Sequence, residues 1–516
     1  MEKKFMVSQG YLHIPVKPGY DKNVFELYIE ENNQETKIMD FRMPVDMGNY
    51  GDYGQAFFAE IPVKELLGKC IVLKGEAPES FFEAIKMSDE VADTDSNRPG
   101  IHFTPKTGWM NDPNGLVYHD GIYHGYFQYN PWDVNWDNMS WGHAVSKDLL
   151  HWEQCDTAMF PDGDGTIFSG SGIVNERGMM GLPKDALIYF YTAAGNTNAW
   201  SEGKEFTQKI AYSTDGGRTL HKVEEPVVDT IFYDNRDPKV FWHEESQAYI
   251  MVLWLRGAHY AIFRSNNLTD WVESQRLEFP DTWECPDLFC LKNEQGEKCW
   301  FFWTADGYYF AGDFDGYTFR SYGERGKAYA TKFAYAAQTF SGTAGEVISV
   351  PWLRLPNDGR NFTGAFGMPV NFSYVVENGK HQLIQWPVKA LFSQSVPVKA
   401  QSIIDENGKI VYNENDKQTA LLVKMKFNPE YKNEYCWMVN HTRVTYSAAS
   451  GMVMVEPDKF LAGYDFSEVM MVIDDKILEM YFDEGRSVAV FPLHQSEVSI
   501  CMDSAQFDSV EVYTVR

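Results

Sequence analysis

Ser146-Lys147-Asp148-Leu149-Leu150-His151-Trp152 and Ser265-Asn266-Asn267-Leu268-Thr269-Asp270-Trp271 follow one pattern, S-x-[DN]-L-x-x-W. In each, a polar turn between strand-like segments is closed by a large apolar residue. Ser213-Thr214-Asp215-Gly216-Gly217-Arg218-Thr219-Leu220 repeats the idea with one residue more. Asp313-Phe314-Asp315-Gly316-Tyr317-Thr318-Phe319 is a looser fourth copy. The copies start near residues 146, 213, 265 and 313. Their spacing of roughly 50 residues is the size of one four-stranded propeller blade. A fifth unit fits the stretch from about 330 to 386. The repeat predicts a five-bladed β-propeller, with coincidental hairpins in another all-β fold as the alternative.

The flanking sequence divides the rest of the chain. Up to residue 90, short runs such as Tyr11-Leu12-His13-Ile14-Pro15-Val16 and Val24-Phe25-Glu26-Leu27-Tyr28-Ile29 are separated by Gly and Asn turns. They read as a small β module at 1–90. Met87 to Pro99 is polar and acidic, which places a linker at 91–100 and the propeller at 101–390. Runs such as Thr419-Ala420-Leu421-Leu422-Val423-Lys424-Met425 and Ser487-Val488-Ala489-Val490-Phe491 continue the strand pattern, so a β-sandwich is expected at 395–516. Helical periodicity is scarce, and the fold class is all-β throughout.

Bulk properties narrow the partners. A chain of 516 residues is long enough for two or three domains. A net charge of −28 excludes nucleic acid and anionic membrane surfaces as natural partners and suits a neutral substrate. Fifteen Trp and 29 Tyr can fill sheet cores or stack on sugar rings, and composition does not choose between them. The seven cysteines are odd in number and scattered, with no C-x-x-C pair or zinc-like His spacing. They read as free thiols of a reducing compartment, with no metal implied. No signal-length apolar run opens the chain, and no stretch reaches the roughly 18 apolar residues of a membrane span. A cytoplasmic protein is expected, although a secreted one whose signal had been removed would read the same.

Three acidic segments then stand out, each at the start of a different expected blade. They are Trp109-Met110-Asn111-Asp112-Pro113-Asn114-Gly115, Asn235-Arg236-Asp237-Pro238-Lys239-Val240-Phe241 and Trp283-Glu284-Cys285-Pro286-Asp287-Leu288-Phe289. First strands of propeller blades line the central axis, so acids at those strand ends converge on one pocket. Glycoside cleavage needs such a convergence, with one carboxylate to attack and one carboxylic acid to protonate the leaving oxygen. Crowding keeps at least one of them protonated near neutral pH. Any one segment alone would read as a solvated turn acid.

These runs resemble glycoside hydrolase family 32, the family of invertases, inulinases and levanases. The resemblance begins at His102-Phe103-Thr104-Pro105 and Trp109 to Gly115. It continues through Tyr126-Phe127-Gln128-Tyr129-Asn130-Pro131, Trp141-Gly142-His143-Ala144, Phe168-Ser169-Gly170-Ser171, Arg236-Asp237-Pro238-Lys239 and Glu284-Cys285-Pro286-Asp287. It implies a five-bladed propeller and a retaining mechanism on fructofuranosides. Asp112 would be the nucleophile, Glu284 the acid/base, and Asp237 the residue that holds fructose hydroxyls and stabilises the transition state. Arg236 would bias the acid/base. Asn111, Gln128, Trp136, Phe168 and Ser169 match fructose-pocket positions, and Trp352 would be a further wall. Trp136 and Trp352 also read as core residues, Ser169 as a plain strand serine, and Cys285 as either a neighbour tuning the acid or a buried thiol. His143 and His151 read as structural.

Two departures qualify the resemblance. The family's Pro-Arg-Glu-Leu run is missing after Gly367-Met368-Pro369, which suggests an unusual last blade and link to the sandwich. The insertion from Asn196 to Glu205 falls where a blade loop would rim the pocket. The N-terminal module resembles an accessory domain of bacterial levanase-like members. The implied activity is release of terminal β-fructose from fructan, fructo-oligosaccharide or sucrose, without a cofactor. A fructosyltransferase or endo-fructanase on the same scaffold, and a fructan-binding protein without catalysis, are the alternatives. The oligomeric state stays open, a homo-oligomer included.

Overall fold

The computed structural model describes residues 1–48, 56–92, 97–399, 408–414, 416, 418–431 and 433–516. Residues 93–96 of the expected linker lie outside the described residues.

Five sheets, each built on four antiparallel strands, follow one another along the chain. Blade I comprises Gly108–His119, Ile122–Asn130, Ser140–Ser146 and Trp152–Gln154. Blade II comprises Thr166–Val174, Leu187–Ala194, Phe206–Ser213 and His221–Lys222. Blade III comprises Arg236–His243, Ala248–Arg256, His259–Ser265 and Val272–Glu278. Blade IV comprises Asp287–Lys292, Lys298–Trp303, Tyr308–Phe314 and Phe319–Lys327. Blade V comprises Ala334–Thr339, Ile348–Leu353, Val370–Glu377 and Lys380–Pro387. The sequence follows this layering. Second strands such as Leu187–Ala194 are buried on both faces and read as unbroken apolar runs, whereas the outermost strand of blade III, Val272–Glu278, is polar and largely exposed.

The repeated motif is the turn from third to fourth strand. Ser146 Oγ accepts the amide of Leu149 at 2.8 Å, and Ser265 Oγ accepts that of Leu268 at 2.9 Å. Both leucines take positive φ, 71° and 72°. Each leucine carbonyl then accepts the indole N–H of the closing tryptophan, Trp152 at 3.0 Å and Trp271 at 2.7 Å. Blade V makes the same turn with Asn378-Gly379, both at positive φ, which is the sequence of a tight two-residue hairpin.

Ring closure joins blade V to blade I. Phe362–Thr363 runs parallel to Gly108–Trp109, and the amide of Tyr118 donates to Ser341 O at 2.8 Å. The sandwich has two six-stranded sheets. In strand Ala420–Phe427, Leu421, Val423 and Met425 face the sandwich interior. Leu422 faces the propeller beside Trp303, Tyr329 and Leu353.

Gly367-Met368-Pro369 lies inside blade V, between its second and third strands. The link to the sandwich is the turn of helix Lys389–Ser393 further on. Met368 N donates to Glu479 of the sandwich at 2.9 Å, so this departure from the family pattern falls at an interdomain contact. Glu479 also meets His102 Nε2 at 3.2 Å, and Asp474 meets His102 Nδ1 at 2.8 Å, all three side chains being buried.

The first residues form two small sheets around an apolar core that includes Phe25, Phe41 and Ile61. Trp132, from the loop after the second strand of blade I, completes that core and stacks on Phe41 at 3.9 Å between ring centres. Burying an indole this fully contributes about 2–3 kcal/mol.

Candidate active site

In four blades the first strand brings a polar or charged side chain to one end of the propeller axis, aimed by a bulge, and in blade IV the residues before the strand do so. In blade I, Met110 pairs with Tyr129 and Pro113 with Phe127, so Asn111 and Asp112 together oppose Gln128 alone. In blade II the extra residue is Ser169, between the Phe168–Thr192 and Gly170–Tyr191 pairs. Blade III bulges at Asp237 and Pro238, and blade V at Ala336 and Ala337. In blade IV, Glu284 and Cys285 lie just before the strand, separated from it by Pro286. Asp237, Cys285 and Ala336 have φ of 66°, 47° and 49°, a region that non-glycine residues enter at a cost. Bulges of this kind re-aim side chains at strand ends.

The bulges bring together the three carboxylates expected from sequence. Asp112 accepts Asn111 Nδ2 at 3.1 Å on one oxygen and Ser169 Oγ at 2.7 Å on the other. Trp109 Nε1 orients Asn111 by donating to its carbonyl at 2.8 Å. Asp237 is buried and accepts the amide of Cys285 at 3.0 Å. The Cys285 thiol lies 3.4 Å from Asp237 and 3.6 Å from Asp112, so it bridges them. Glu284 accepts Arg236 at 3.1 Å and 2.5 Å through Oε2 and the Tyr335 hydroxyl at 2.9 Å through Oε1. The Arg236 guanidinium stacks on Trp254 at 4.0 Å.

Electrostatics follow from burial. Desolvation pushes Asp237 up to about 7, with Glu284 and Asp112 adding to the push and Arg236 opposing it. Desolvation, then the Glu284 charge, also raises Asp112, while the bonds from Asn111 and Ser169 hold it down. Burial, then the two aspartates, keeps Cys285 a thiol, which can donate to either carboxylate. Tyr335 is raised by burial and by Glu284, so its hydroxyl keeps the proton it donates.

The remaining expected residues surround this group. Gln128 is buried, and among the described residues neither its Nε2 nor the Trp352 Nε1 has a hydrogen-bond partner. Trp352 sits edge-on to Trp109 at 5.8 Å and beside Tyr335 at 6.3 Å. Trp136 is 52% exposed and approaches Phe168 edge-on at 6.2 Å, so it is a rim residue and not a core one. His143 stacks on Tyr126 behind the site, and His151 pairs with Asp148 on the surface; neither touches the carboxylates. Tyr335 is the residue that sequence reading missed. Ala334-Tyr335-Ala336-Ala337 carries no motif, and only the requirement that a fifth first strand reach the axis could have flagged it. Among the described residues, no group of three or more His, Cys, Asp or Glu is placed to hold a metal ion.

Fold and site together define a five-bladed propeller protein with a carboxylate pocket on its axis. Residues 102–387 match the N-terminal domain of glycosyl hydrolases family 32, and the chain belongs to that family. It is 39% identical over 269 residues to a levanase of Bacillus subtilis, covering 47% of this chain and 39% of that protein. The chain thus spans well under two thirds of that relative's length. It is 31% identical over 484 residues to an extracellular exo-inulinase of Aspergillus niger, covering 81% of this chain and 87% of that one. A glycoside hydrolase family 32 structure from Bifidobacterium adolescentis matches with a TM-score of 0.68 at 17% identity, over 100% of this chain and 99% of that one. That likeness shows the fold alone.

Proposed function

We propose that the protein is a retaining exo-fructosidase, removing the terminal β-fructose from fructans, fructo-oligosaccharides or sucrose. One observation carries the reading. Three carboxylates from three blades share a pocket, and each is held differently: Asp112 by neutral donors, Glu284 by Arg236 and Tyr335, Asp237 by a backbone amide. Different environments let carboxylates divide the roles of nucleophile and acid.

In the first step an Asp112 oxygen attacks the anomeric carbon. The bond to the leaving oxygen breaks with its electron pair, and Glu284 supplies that oxygen's proton. In the second step water attacks the same carbon and gives its proton to Glu284, the ester to Asp112 breaks, and fructose leaves with its configuration retained. Asp237 takes fructose hydroxyls and steadies the positive charge that builds on the ring, while Asn111, Gln128, Phe168 and Trp352 wall the sugar. Both the levanase and the exo-inulinase relatives carry names of fructan-cleaving enzymes, which supports this substrate class.

We further propose that residues 1–90 are an accessory module, 101–390 the catalytic unit and 395–516 a supporting sandwich. Seven cysteines, all free, suit a reducing compartment. The test is product analysis after separate incubation with levan, inulin and sucrose. Free fructose as the sole early product is expected. Oligosaccharides or a cyclic difructose would replace the reading with endo or transferase action, and no product at all would leave a fructan-binding protein.

A further inference from the structure

Asp112, Asp237 and Glu284 all lie outside the module formed by the first residues, yet its strand Gln34–Pro44 grips two propeller loops that emerge at the end where they meet. Register fixes that end. Trp109 pairs with Asn130 and Thr166 with Ala194, so the loops following Asn130 and Ala194 leave the sheets beside Asp112 and Ser169.

In the first loop, Trp132 is buried in the module's core against Phe41. Arg42 exchanges a pair of 2.7 Å hydrogen bonds with the Asn138 side chain, through its own amide and carbonyl, and its guanidinium meets Asp137 at 2.6 Å. Between these anchors stands Trp136, exposed and edge-on to Phe168.

In the second loop, Asp40 is 2% exposed and accepts Asn198 Nδ2 at 3.0 Å and the Trp200 amide at 3.1 Å. Thr197 of that loop holds Thr166, through both its amide at 3.1 Å and its hydroxyl at 2.8 Å. Thr166 lies two residues before Phe168. Both grips therefore end on the same wall of the pocket, and a carboxylate this buried has no role in solvent.

We infer that the module is a built part of the sugar pocket. Asp40 and Arg42 are positioning residues that fix the Trp136–Phe168 wall against the bound sugar, leaving the carboxylates alone. The inference rests on the proposed fructosidase reading. Substrate binding should therefore depend on the module while the bond-breaking step does not, because the carboxylates are held by propeller residues.

The experiment compares the full-length wild type with Asp40→Ala, Asp40→Asn and Asn198→Ala on sucrose and inulin. For Asp40→Ala and Asn198→Ala we expect KM to rise about 3–10-fold with kcat within twofold. Asp40→Asn, which keeps one acceptor oxygen, should recover part of the loss. Amide exchange should quicken in 195–205 and stay unchanged in 108–115. Unchanged KM in folded Asp40→Ala and Asn198→Ala overturns the inference. So does failure of both to fold, since the contact would then serve stability alone. A wild type inactive on every fructan instead overturns the fructosidase reading and is visible before any variant is made.

Discussion

Glu284 is held from two sides, and only Arg236 brings charge. The Tyr335 hydroxyl fixes the other oxygen, so Tyr335→Phe should lower kcat about tenfold, roughly 1.4 kcal/mol, with KM within twofold. Steady-state kinetics decide it, and an unchanged kcat would remove Tyr335 from the machinery. Asp112→Asn should cost at least ~10⁴ in turnover while the melting temperature stays within a few degrees. Retained activity would displace Asp112 as nucleophile. Asp237 yields a pH prediction. Its folded pKa of about 7 lies above that of an unfolded aspartate, so its contribution to stability is complete below about pH 4 and is lost as pH rises through 7. Asp237→Asn should therefore melt about 2–5 °C higher than wild type at pH 8 and equal it near pH 4. A pH-independent difference would contradict the assignment. Asp112, Asp237 and Glu284 were legible because acids beside or near a proline precede apolar strands at blade spacing. Tyr335 was not, because a bulge of two alanines, with no sequence signature, turns it to the axis.

At the scale of the strand and turn, the propeller repeats one device. A serine hydroxyl caps a leucine amide, the leucine adopts a left-handed conformation, and a tryptophan closes over its carbonyl. Ser265→Ala removes the acceptor that holds the Leu268 and Asn267 amides and should cost about 1 kcal/mol. The midpoint of denaturant unfolding measures this, and a shift within error would show the turn to be held by packing. The motif was readable because hydrogen-bond geometry restricts which residues the turn accepts. Blade V escaped the pattern because Asn378-Gly379 reaches a reversal by backbone freedom and needs no cap. The bulges were invisible for a related reason, since one extra residue in a ten-residue strand leaves the apolar pattern nearly intact.

Across the whole molecule, His102 ties propeller to sandwich. Burial disfavours its charge, but bonds to Asp474 and Glu479 win and hold its pKa up to about 9. A base raised in the fold contributes stability that is complete below about pH 6.5 and is lost as pH rises through 9. His102→Ala leaves two buried carboxylates without their cation and should cost about 3 kcal/mol at pH 6.5. Calorimetry against pH should show that deficit shrinking toward pH 10. That the chain holds a propeller and a sandwich was readable from strand patterning, but this partnership was not. His102 and Asp474 are separated by most of the sequence, and burial alone gives a histidine its partners. Ring closure has a consequence for how the protein is made. A ribosome delivers the Asp112 strand early, whereas its edge partner at Phe362–Thr363 and the Asp474 that anchors its approach arrive much later. A nascent chain stopped before residue 362 carries Asp112 without the closed ring that surrounds it. Closure of the ring around Asp112 therefore comes near the end of synthesis.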